Sequence, residues 1–511
     1  MNKKIIKSKF TATALTLLLT FAWQGTGFAS AATEVITIDA NSPSTAFPHF
    51  WEHMFGSGRA ILSLRESYRT DLRAVKSVTD LKYVRFHNIF HDEVGLYNED
   101  ADGKPFYNFT YIDQIYDGLL ANGVRPFIEL SFMPSKLAAK QTAHVFWYHP
   151  IVSPPADWAR WRGLITAFTK HLIDRYGVDE VSKWYFEVWN EPNLDFWAGV
   201  PAEPTYYQLY DETAKAIKGV DTHLRVGGPS TAQAAWVDRF IKHCVDEKVP
   251  VDFVSTHVYG NDTADNVLHK KIDIPRSDMV SAAVAMVHQQ VKESARPDLP
   301  IIWSEYNAAY DNEVTVTDSP FMGPWLANNI RLCDGLADEM SLWTFSDVFE
   351  EQGVQKKAFY GGFGLIGQDY IPKASFNAIK LLHQLGEERI KVNAQSALVT
   401  KRRNGSLAVA VWNYTPEHDQ GTAKDFKLEI SGLKSTASQA RVQVVDADHG
   451  SALKAWQQMG KPDFPSREQQ KTLREAARSI LVSQYPLEGS ATKTLSFTLQ
   501  PRALSLVEIE P

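Results

Sequence analysis

The amino-acid sequence predicts a (β/α)8 barrel joined to a β-sandwich. From residue 49 onward, short strand-like runs alternate eight times with longer runs that carry apolar residues at helical spacing. Eight such units over roughly 320 residues are typical of a (β/α)8 barrel. No glycine-rich phosphate turn follows the first strand, which argues against the alternative, a doubly wound sheet. Near residue 390 the apolar period shortens to that of short antiparallel strands, which indicates a second domain.

The predicted barrel strands are short runs rich in aromatic and β-branched residues. In chain order they are His49–Phe55, Tyr83–Phe86, Arg125–Ser131, Trp184–Trp189, Leu224–Gly228, Asp252–Thr256, Ile301–Glu305 and Ser341–Phe345. Runs such as Trp158–Tyr176 and Tyr206–Ile217 lie between these strands and predict helices. The barrel is therefore expected to occupy residues 46–370.

The C-terminal part, residues 371–511, reads as a β-sandwich. Asn404-Gly405 between two apolar runs is a strong hairpin signal. One helix is expected to begin at Ser466, because Gln469 three residues later completes a capping box. In the segment 32–45, Val35–Ile38 is expected to add a strand to the sandwich. The remaining predicted strands are Leu398–Arg402, Leu407–Trp412, Phe426–Ile430, Arg441–Val445, Leu495–Leu499 and Leu504–Ile509.

The first 31 residues have the pattern of a secretory signal peptide. Four lysines precede an apolar run that is too short to span a bilayer, and Ala29-Ser30-Ala31 resembles a cleavage site. The chain is therefore expected to be exported to the periplasm or the extracellular medium. Removing four lysines and no acid makes the net charge of −7 more negative. Nucleic acid and anionic membranes are poor partners for such a chain.

The two cysteines, Cys244 and Cys333, both lie in helical patterns and are far apart in the chain. Two buried thiols are expected, and a disulfide is the alternative. The histidines are scattered and there is no HExxH pattern, so no metal or other cofactor is expected. No segment predicts an oligomeric state.

Polar and aromatic side chains follow the predicted barrel strands where each strand ends. In a (β/α)8 barrel the carboxyl ends of the strands meet at the face where functional groups collect. Any one of these residues could be a hydrogen-bonded structural group, and much of the aromatic content is core packing. Their joint position at strand ends is harder to explain by packing. The residues are Arg85, His87, Asn190, Glu191, His257, Tyr259, Glu305, Trp343, Asp347, Glu350 and Glu351.

Two carboxylates, Glu191 and Glu305, end the fourth and seventh strands, which place them across the barrel mouth from each other. Two carboxyl groups about 5–5.5 Å apart are typical of retaining glycoside hydrolysis, in which one protonates the leaving oxygen and the other attacks the anomeric carbon. The aromatic surroundings of Glu191 favour the protonated acid. Arg85 and Tyr306 are expected to keep Glu305 ionised. Glu191 is thus the predicted acid/base and Glu305 the predicted nucleophile.

Several long motifs resemble glycoside hydrolase family 39, in particular its bacterial β-xylosidases. They are FEVWNEPNL, VGGPS, PVDFVSTHVYG, WSEYN, SLWTFSDVFEE and FYGGFGLIG, and the resemblance extends over residues 45 to 510. It implies a retaining barrel enzyme with catalytic glutamates on strands four and seven and with a β-sandwich. It therefore implies the same roles for Glu191 and Glu305, and an oligosaccharide as the substrate.

The resemblance also implies further contacts to the sugar. Asn190 is the implied partner of the sugar 2-hydroxyl, and Phe196 and Trp147 are implied aromatic walls. The implied contacts in the first subsite are His87, His257, Tyr259, Trp343, Glu350 and Glu351.

The leading interpretation is an exo-acting β-1,4-xylosidase that releases xylose from xylo-oligosaccharides. The family also contains α-L-iduronidases and exopolysaccharide hydrolases, so a retaining hydrolase of another glycan is the alternative. A non-catalytic sugar-binding protein is a third interpretation, and the presence of both carboxylates argues against it.

Overall fold

The structure is a computed structural model that describes residues 33–434 and 436–510. The predicted signal peptide, residues 1–31, lies outside the described residues. No helix in the described ranges is both long enough and apolar enough to cross a membrane.

Strands and helices follow one another along the chain as listed here. The strands are β1 (Glu34–Asp39), β2 (Ser44–Ala46), β3 (Met54–Gly56), β4 (Tyr83–Phe86), β5 (Tyr97–Glu99), β6 (Pro105–Tyr107), β7 (Arg125–Glu129), β8 (Tyr185–Glu187), β9 (Arg225–Thr231), β10 (Phe253–Tyr259), β11 (Ile301–Asn307), β12 (Glu339–Leu342), β13 (Ile366–Gly367), β14 (Ile371–Pro372), β15 (Glu388–Ile390), β16 (Ala397–Lys401), β17 (Leu407–Trp412), β18 (Lys424–Ser431), β19 (Gln439–Val445), β20 (Leu481–Pro486), β21 (Thr492–Leu499) and β22 (Leu504–Ile509). The α-helices are α1 (Glu66–Lys76), α2 (Thr110–Ala121), α3 (Trp158–Tyr176), α4 (Val178–Val181), α5 (Ala202–Val220), α6 (Val237–Asp246), α7 (Ala264–Leu268), α8 (Arg276–Glu293), α9 (Met322–Cys333), α10 (Ala374–Leu382), α11 (Leu453–Gln458) and α12 (Arg467–Arg478).

The predicted barrel is confirmed. Eight parallel strands close in the order β3-β4-β7-β8-β9-β10-β11-β12, and each overlaps one of the eight predicted runs. The first strand is shorter than expected, because His49 to His53 form turns before it. In contrast, β10 and β11 run past their predicted ends, to Tyr259 and Asn307, and so extend the ladder to the level of the site.

The fourth barrel strand is also shorter than its aromatic run predicts. It pairs only over Tyr185–Glu187, although Trp184 to Trp189 has strong β propensity. The cause lies in the backbone, since Trp189 (φ 73°) and Glu191 (φ 41°) both adopt left-handed conformations that cannot continue a strand. The chain therefore turns before Pro192, and the turn brings Glu191 over the barrel mouth.

Two sheets form the β-sandwich. One has the order β1-β18-β21, and the other has the order β2-β15-β16-β17-β22-β19-β20. The predicted N-terminal strand pairs in parallel with β18, and the capping box at Ser466 and Gln469 opens α12. Sequence reasoning missed β2, β15 and β20, which are short or largely exposed and so lack an apolar alternation.

The larger sheet is buried on both faces, which joins the two parts of the molecule. Along β17, Ala408, Ala410 and Trp412 pack into the barrel core, while the alternate residues Leu407 and Val409 pack into the core of the sandwich. This alternation follows from the two-residue period of a strand. Helix α10 also packs in the barrel core, so barrel packing extends beyond residue 370.

Both cysteines are buried and unpaired, as expected. Cys244 lies in α6 and Cys333 ends α9. Burial raises the pKa of each thiol far above its usual value, so both remain protonated and unreactive.

Candidate active site

A cavity of about 340 Å³ opens at the carboxyl ends of the barrel strands. It brings together eight of the residues singled out in the sequence: His87, Asn190, Glu191, Phe196, Tyr259, Glu305, Trp343 and Glu351. These side chains come from five different strands or the loops that follow them. A concave site with a few convergent polar groups on an aromatic wall is the usual form of a small-ligand site.

Arg85 on β4 lies beneath the cavity and organises its polar groups. The side chain is fully buried, and it donates to Glu187 Oε2 and to Glu305 Oε1, both at 2.6 Å. It also donates to Asn190 Oδ1 at 3.0 Å and lies 2.7 Å from Glu129 Oε2. Because Asn190 Oδ1 is held by the guanidinium, the Asn190 amide nitrogen remains to donate to a ligand.

Glu191 and Glu305 face each other across the cavity. A carboxylate oxygen of each lies within 4.8 Å of the other, and a ring nitrogen of His257 lies within the same distance of both. So close an approach is typical of retaining glycosidases, whose carboxyl groups lie about 5–5.5 Å apart, rather than of inverting ones, in which they lie about 6.5–9.5 Å apart.

Burial raises the pKa of Glu191 well above its usual range, and the neighbouring charge of Glu305 raises it further. The pKa of Glu305 is also raised by burial, but Arg85, His87 and the Tyr259 hydroxyl all act to lower it. Two carboxyl groups this close do not ionise together. Because the Arg85 guanidinium stabilises the charged form of Glu305, Glu305 ionises first and carries the charge, while Glu191 keeps the proton.

One predicted partner of Glu305 is wrong. Tyr306 was expected to hold the carboxylate, but its ring stacks on Trp325 outside the barrel. The hydroxyl that donates to Glu305 Oε2, at 2.7 Å, belongs to Tyr259 on the neighbouring strand β10. Successive side chains of a strand point to opposite faces, so Tyr306 points outward when Glu305 points inward. The register of β11 shifts between Trp303 and Tyr306, so Ser304 and Glu305 both contact inward-facing groups.

His87 and Glu351 form a second polar pair in the cavity. His87 Nδ1 lies 2.6 Å from Glu129 Oε2, and His87 Nε2 lies 3.6 Å from Glu351 Oε1. Burial acts to lower the pKa of His87, but the charges of Glu129 and Glu305 outweigh it and raise the pKa. Burial raises the pKa of Glu351 to about 8, so this carboxyl group is available as a hydrogen-bond donor near neutral pH.

Three other predicted sugar contacts lie outside the cavity lining. His257 is fully buried behind Glu191, with Nδ1 at 3.0 Å from Glu191 Oε1. Glu350 is bound by Arg59 and Arg65 at 2.5–3.0 Å. Trp147 follows the cavity-lining Phe146 in the same loop, but its half-exposed side chain packs near Gly353 and is not part of the lining.

Half of the cavity lining was not found from the sequence. Asp262 and Tyr310 follow strands β10 and β11, so their position after a barrel strand was an available signal. His144 and Phe146 lie in the long loop after β7, where only a local concentration of aromatic residues marks them. The full set is His144, Phe146, Leu194, Ala232, Gln233, Asp262, Tyr310 and Phe363.

An aromatic cluster closes one side of the cavity. Tyr259, Trp343 and Phe363 line it directly. Phe349 supports them from behind, edge-on to Trp343 at 5.8 Å and to Phe363 at 5.6 Å between ring centroids. Bulky rings thus occupy space beside the polar groups and restrict the size of the ligand.

A buried ion-pair network holds the loop that carries Phe363. Lys373 is fully buried, and its ammonium group lies 2.6 Å from Asp318 and 2.7 Å from Asp347. Asp318 accepts from the backbone N–H of Gly361, and Asp347 accepts from that of Gly364. A side chain at Gly364 would collide with the backbone of Asp347, so the loop needs glycine to approach this closely.

Three clusters in the described residues have the side-chain types of a metal site. Two lie in the cavity, His87–Glu129–Glu305 and Glu191–His257–Glu305, and the third, His49–Glu52–His383, includes residues that precede the first barrel strand. In the cavity, the guanidinium of Arg85 already supplies positive charge to the carboxylates, and it would repel a cation. In the third cluster, both imidazoles hydrogen-bond Glu52 at 2.6–3.0 Å.

The chain is similar to characterised glycosidases over almost all of its length. The model of glycosyl hydrolases family 39 matches residues 34–492. The β-xylosidase of Geobacillus stearothermophilus is 37% identical over 488 residues, which cover 93% of this chain and 95% of that protein. A β-xylosidase structure from Caulobacter crescentus superposes with a TM-score of 0.81 at 34% identity, covering 94% of this chain and 100% of that one. The family 39 enzyme structure from Xanthomonas axonopodis pv. citri gives a TM-score of 0.85 at 31% identity, covering 94% and 98%. This chain therefore belongs to glycosyl hydrolase family 39 and is a glycoside hydrolase.

Proposed function

We propose that the protein is a retaining, exo-acting β-1,4-xylosidase that releases xylose from xylo-oligosaccharides. The observation that carries this proposal is the pair Glu191 and Glu305. One carboxylate oxygen of each lies within 4.8 Å of the other, and their environments favour opposite protonation states. The names of the β-xylosidases with 34–37% identity support the choice of sugar.

In the first step, the Glu305 carboxylate attacks the anomeric carbon and Glu191 gives its proton to the departing oxygen. The amide of Asn190, held by Arg85, is placed to donate to the sugar 2-hydroxyl. In the second step, water attacks the anomeric carbon and gives a proton to Glu191, and the ester bond to Glu305 breaks. Two inversions restore the original β configuration.

The substrate is proposed to be a neutral pentose. Among the described residues that line the cavity, none is Lys or Arg, and His87, whose pKa is raised, is already paired with Glu129 at 2.6 Å. The carboxylate of an iduronide would therefore be desolvated without an unpaired cationic partner. The loop after β12 contributes less negative charge than its sequence suggests, because Lys373 neutralises Asp347, and Arg59 and Arg65 neutralise Glu350. The cavity lining, rather than the acidic residues of this loop, therefore disfavours an anionic sugar.

The aromatic cluster also supports a pentose. In the proposed binding mode the C5 side of the sugar faces the rings of Tyr259, Trp343 and Phe363, which fill the space that a C6 hydroxymethyl group would need. Excluding one such group by shape is worth about 1–3 kcal/mol, so some cleavage of glucosides is expected.

A panel of aryl glycosides tests this function. The aryl β-xyloside should have a kcat/KM about 10 to 200 times that of the aryl β-glucoside, and the aryl α-L-iduronide should not be cleaved. Proton NMR at early times should show β-xylose as the first product. Faster cleavage of the iduronide, equal rates for xyloside and glucoside, or α-xylose as the first product would each refute the proposal.

We further propose that the chain is exported, on the basis of the pattern in residues 1–31. Sequencing of the mature N-terminus from the native host should begin after Ala31. A mature protein that retains Lys3 to Lys9 would refute export by this route.

A further inference from the structure

The hydrogen-bond network behind Glu191 determines where the proton of His257 lies. The network begins at Glu187, which is fully buried and paired with Arg85 at 2.6 Å. Ser304 Oγ donates to the other oxygen, Glu187 Oε1, also at 2.6 Å. A carboxylate in an ion pair with arginine only accepts hydrogen bonds, so the hydroxyl hydrogen of Ser304 must point to Glu187.

Ser304 can therefore only accept a hydrogen bond from His257. His257 Nε2 lies 3.1 Å from Ser304 Oγ. Burial lowers the pKa of His257 well below its usual value, and the charges of Arg85 and His87 lower it further, so the ring is neutral and has one N–H. The Ser230 hydroxyl accepts from Arg85 at 3.2 Å and also approaches His257 Nε2, but at 3.4 Å, which is long for a hydrogen bond that a hydroxyl donates. The shorter contact favours the hydrogen on Nε2.

The opposite nitrogen of the ring then has no hydrogen. His257 Nδ1 lies 3.0 Å from Glu191 Oε1. A bare nitrogen accepts a hydrogen bond from a protonated carboxyl group, but its lone pair repels a carboxylate. This contact stabilises one protonation state of Glu191 over the other.

We propose that Glu187 and Ser304 fix the Nε2–H tautomer of His257, and that this tautomer holds Glu191 in its acid form between turnovers. The proposal rests on the proposed role of Glu191 as acid/base. Glu187, Ser304 and His257 are positioning residues, because they act on the substrate only through Glu191.

The proposal accounts for the return of the proton in each cycle. When Glu191 protonates the leaving oxygen, its carboxylate is left facing the lone pair of His257 Nδ1. That repulsion strengthens Glu191 as a base for the attacking water, which gives it a proton as the bond to Glu305 breaks. His257 neither gains nor loses a proton in either step, so the tautomer is the same at the start of each turnover.

Several other charged groups face Glu191 and His257 from the neighbouring strands and loops, and they also influence the titration of Glu191. They are Arg85 on β4, His87 just after β4, Glu187 on β8, Asp262 after β10, Glu305 on β11 and Glu351 after β12. Of these, only Glu187 hydrogen-bonds Ser304 in the described ranges. A change confined to the Ser304 hydroxyl therefore tests the tautomer of His257 with little direct effect on the other charged groups around Glu191.

Neutron diffraction from the deuterated, unmutated enzyme tests the proposal directly. The expected result is a deuteron on His257 Nε2, none on His257 Nδ1, and one between Nδ1 and Glu191 Oε1 that belongs to the carboxyl group. A deuteron bonded to Nδ1 in the ligand-free enzyme would overturn the proposal, and this result does not depend on the folding of any variant.

The pH profile of Ser304→Ala provides a second test. Without the Ser304 acceptor, His257 can turn its hydrogen to Nδ1 and stabilise ionised Glu191, so the alkaline limb of kcat/KM should move to lower pH by about one unit. Ser304→Thr keeps the hydroxyl and should keep the limb in place. Ser255→Ala is the matched control, because Ser255 is equally buried on the neighbouring strand β10 and its hydroxyl has no hydrogen-bond partner in the described chain.

A uniform loss of activity in Ser304→Ala, with the limb unmoved, would indicate a structural role only and would overturn the proposal. Azide rescue of Glu191→Ala separates this outcome from a failure of the proposed function. If rescue succeeds while the limb of Ser304→Ala stays in place, the role of Glu191 stands and the tautomer proposal falls. If rescue fails, the acid/base assignment itself falls.

Discussion

Replacing Tyr259 by phenylalanine should change the pH at which Glu305 becomes active. The Tyr259 hydroxyl donates to Glu305 Oε2 at 2.7 Å and helps to lower the pKa of a carboxyl group that burial raises. Glu305 must be ionised to attack the sugar, so its pKa sets the acid limb of kcat/KM. Loss of the hydroxyl removes a stabiliser of the charged form, and the acid limb should therefore move to higher pH.

The size of this shift follows from the strength of the bond. A hydrogen bond to a charged group contributes about 1.5–3 kcal/mol, and one pKa unit corresponds to about 1.36 kcal/mol. The acid limb should thus move up by about one to two pH units. The assay is kcat/KM for an aryl β-xyloside with a good leaving group, measured across the acid range.

Tyr116→Phe is the matched control for this experiment. Tyr116 is also fully buried, but its hydroxyl has no hydrogen-bond partner in the described residues and lies away from the cavity. The acid limb of kcat/KM for Tyr116→Phe should coincide with that of the unmutated enzyme. An acid limb for Tyr259→Phe that stays in place, or moves to lower pH, would refute the role of the hydroxyl in keeping Glu305 ionised.

Three further predictions follow from the site and its supporting loop. Glu305→Ala should lose turnover of every substrate, whereas Glu191→Ala with an activated aryl xyloside and azide should give the β-xylosyl azide; azide rescue of Glu305→Ala to that same product would reverse the two roles. Lys373→Met leaves Asp318 and Asp347 buried without a cation, so urea unfolding should show that the free energy of unfolding falls by about 3–5 kcal/mol. The control Lys380→Met, on the exposed face of α10, should change stability little, and equal stability of the two variants would contradict this prediction. Phe363→Ala should reduce the preference for xyloside over glucoside about 10-fold or more, and the exposed Phe464→Ala should not; an unchanged preference would show that Phe363 does not exclude the C6 group.

The barrel and its two central carboxylates could be predicted because their signals are local. Glu191 and Glu305 follow strand-like runs directly, and the order of strands in a closed barrel then places them face to face. The hairpin at Asn404-Gly405 and the capping box at Ser466 are also local signals, and the structure contains both elements. Such features depend on residues within a few positions of each other.

The features that were missed depend on contacts between distant parts of the chain. Glu350 follows the eighth barrel strand like its neighbour Glu351, but Arg59 and Arg65, nearly 300 residues earlier, bind it outside the cavity. The true hydroxyl partner of Glu305 lies on the neighbouring strand rather than beside it in sequence. No periodicity marks His144 or Phe146, because a long loop carries them to the cavity.

The pairing of β1 with β18 has a consequence for how the chain can fold. The two strands are separated in sequence by the whole barrel, yet they lie side by side in one sheet. The small sheet therefore cannot be completed until nearly the entire polypeptide is available, and such non-local pairing is formed slowly. The larger sheet also shares its apolar residues between two cores. The barrel consequently cannot be separated as an independent module by truncation at either end, since each cut would expose apolar surface that the other part now covers.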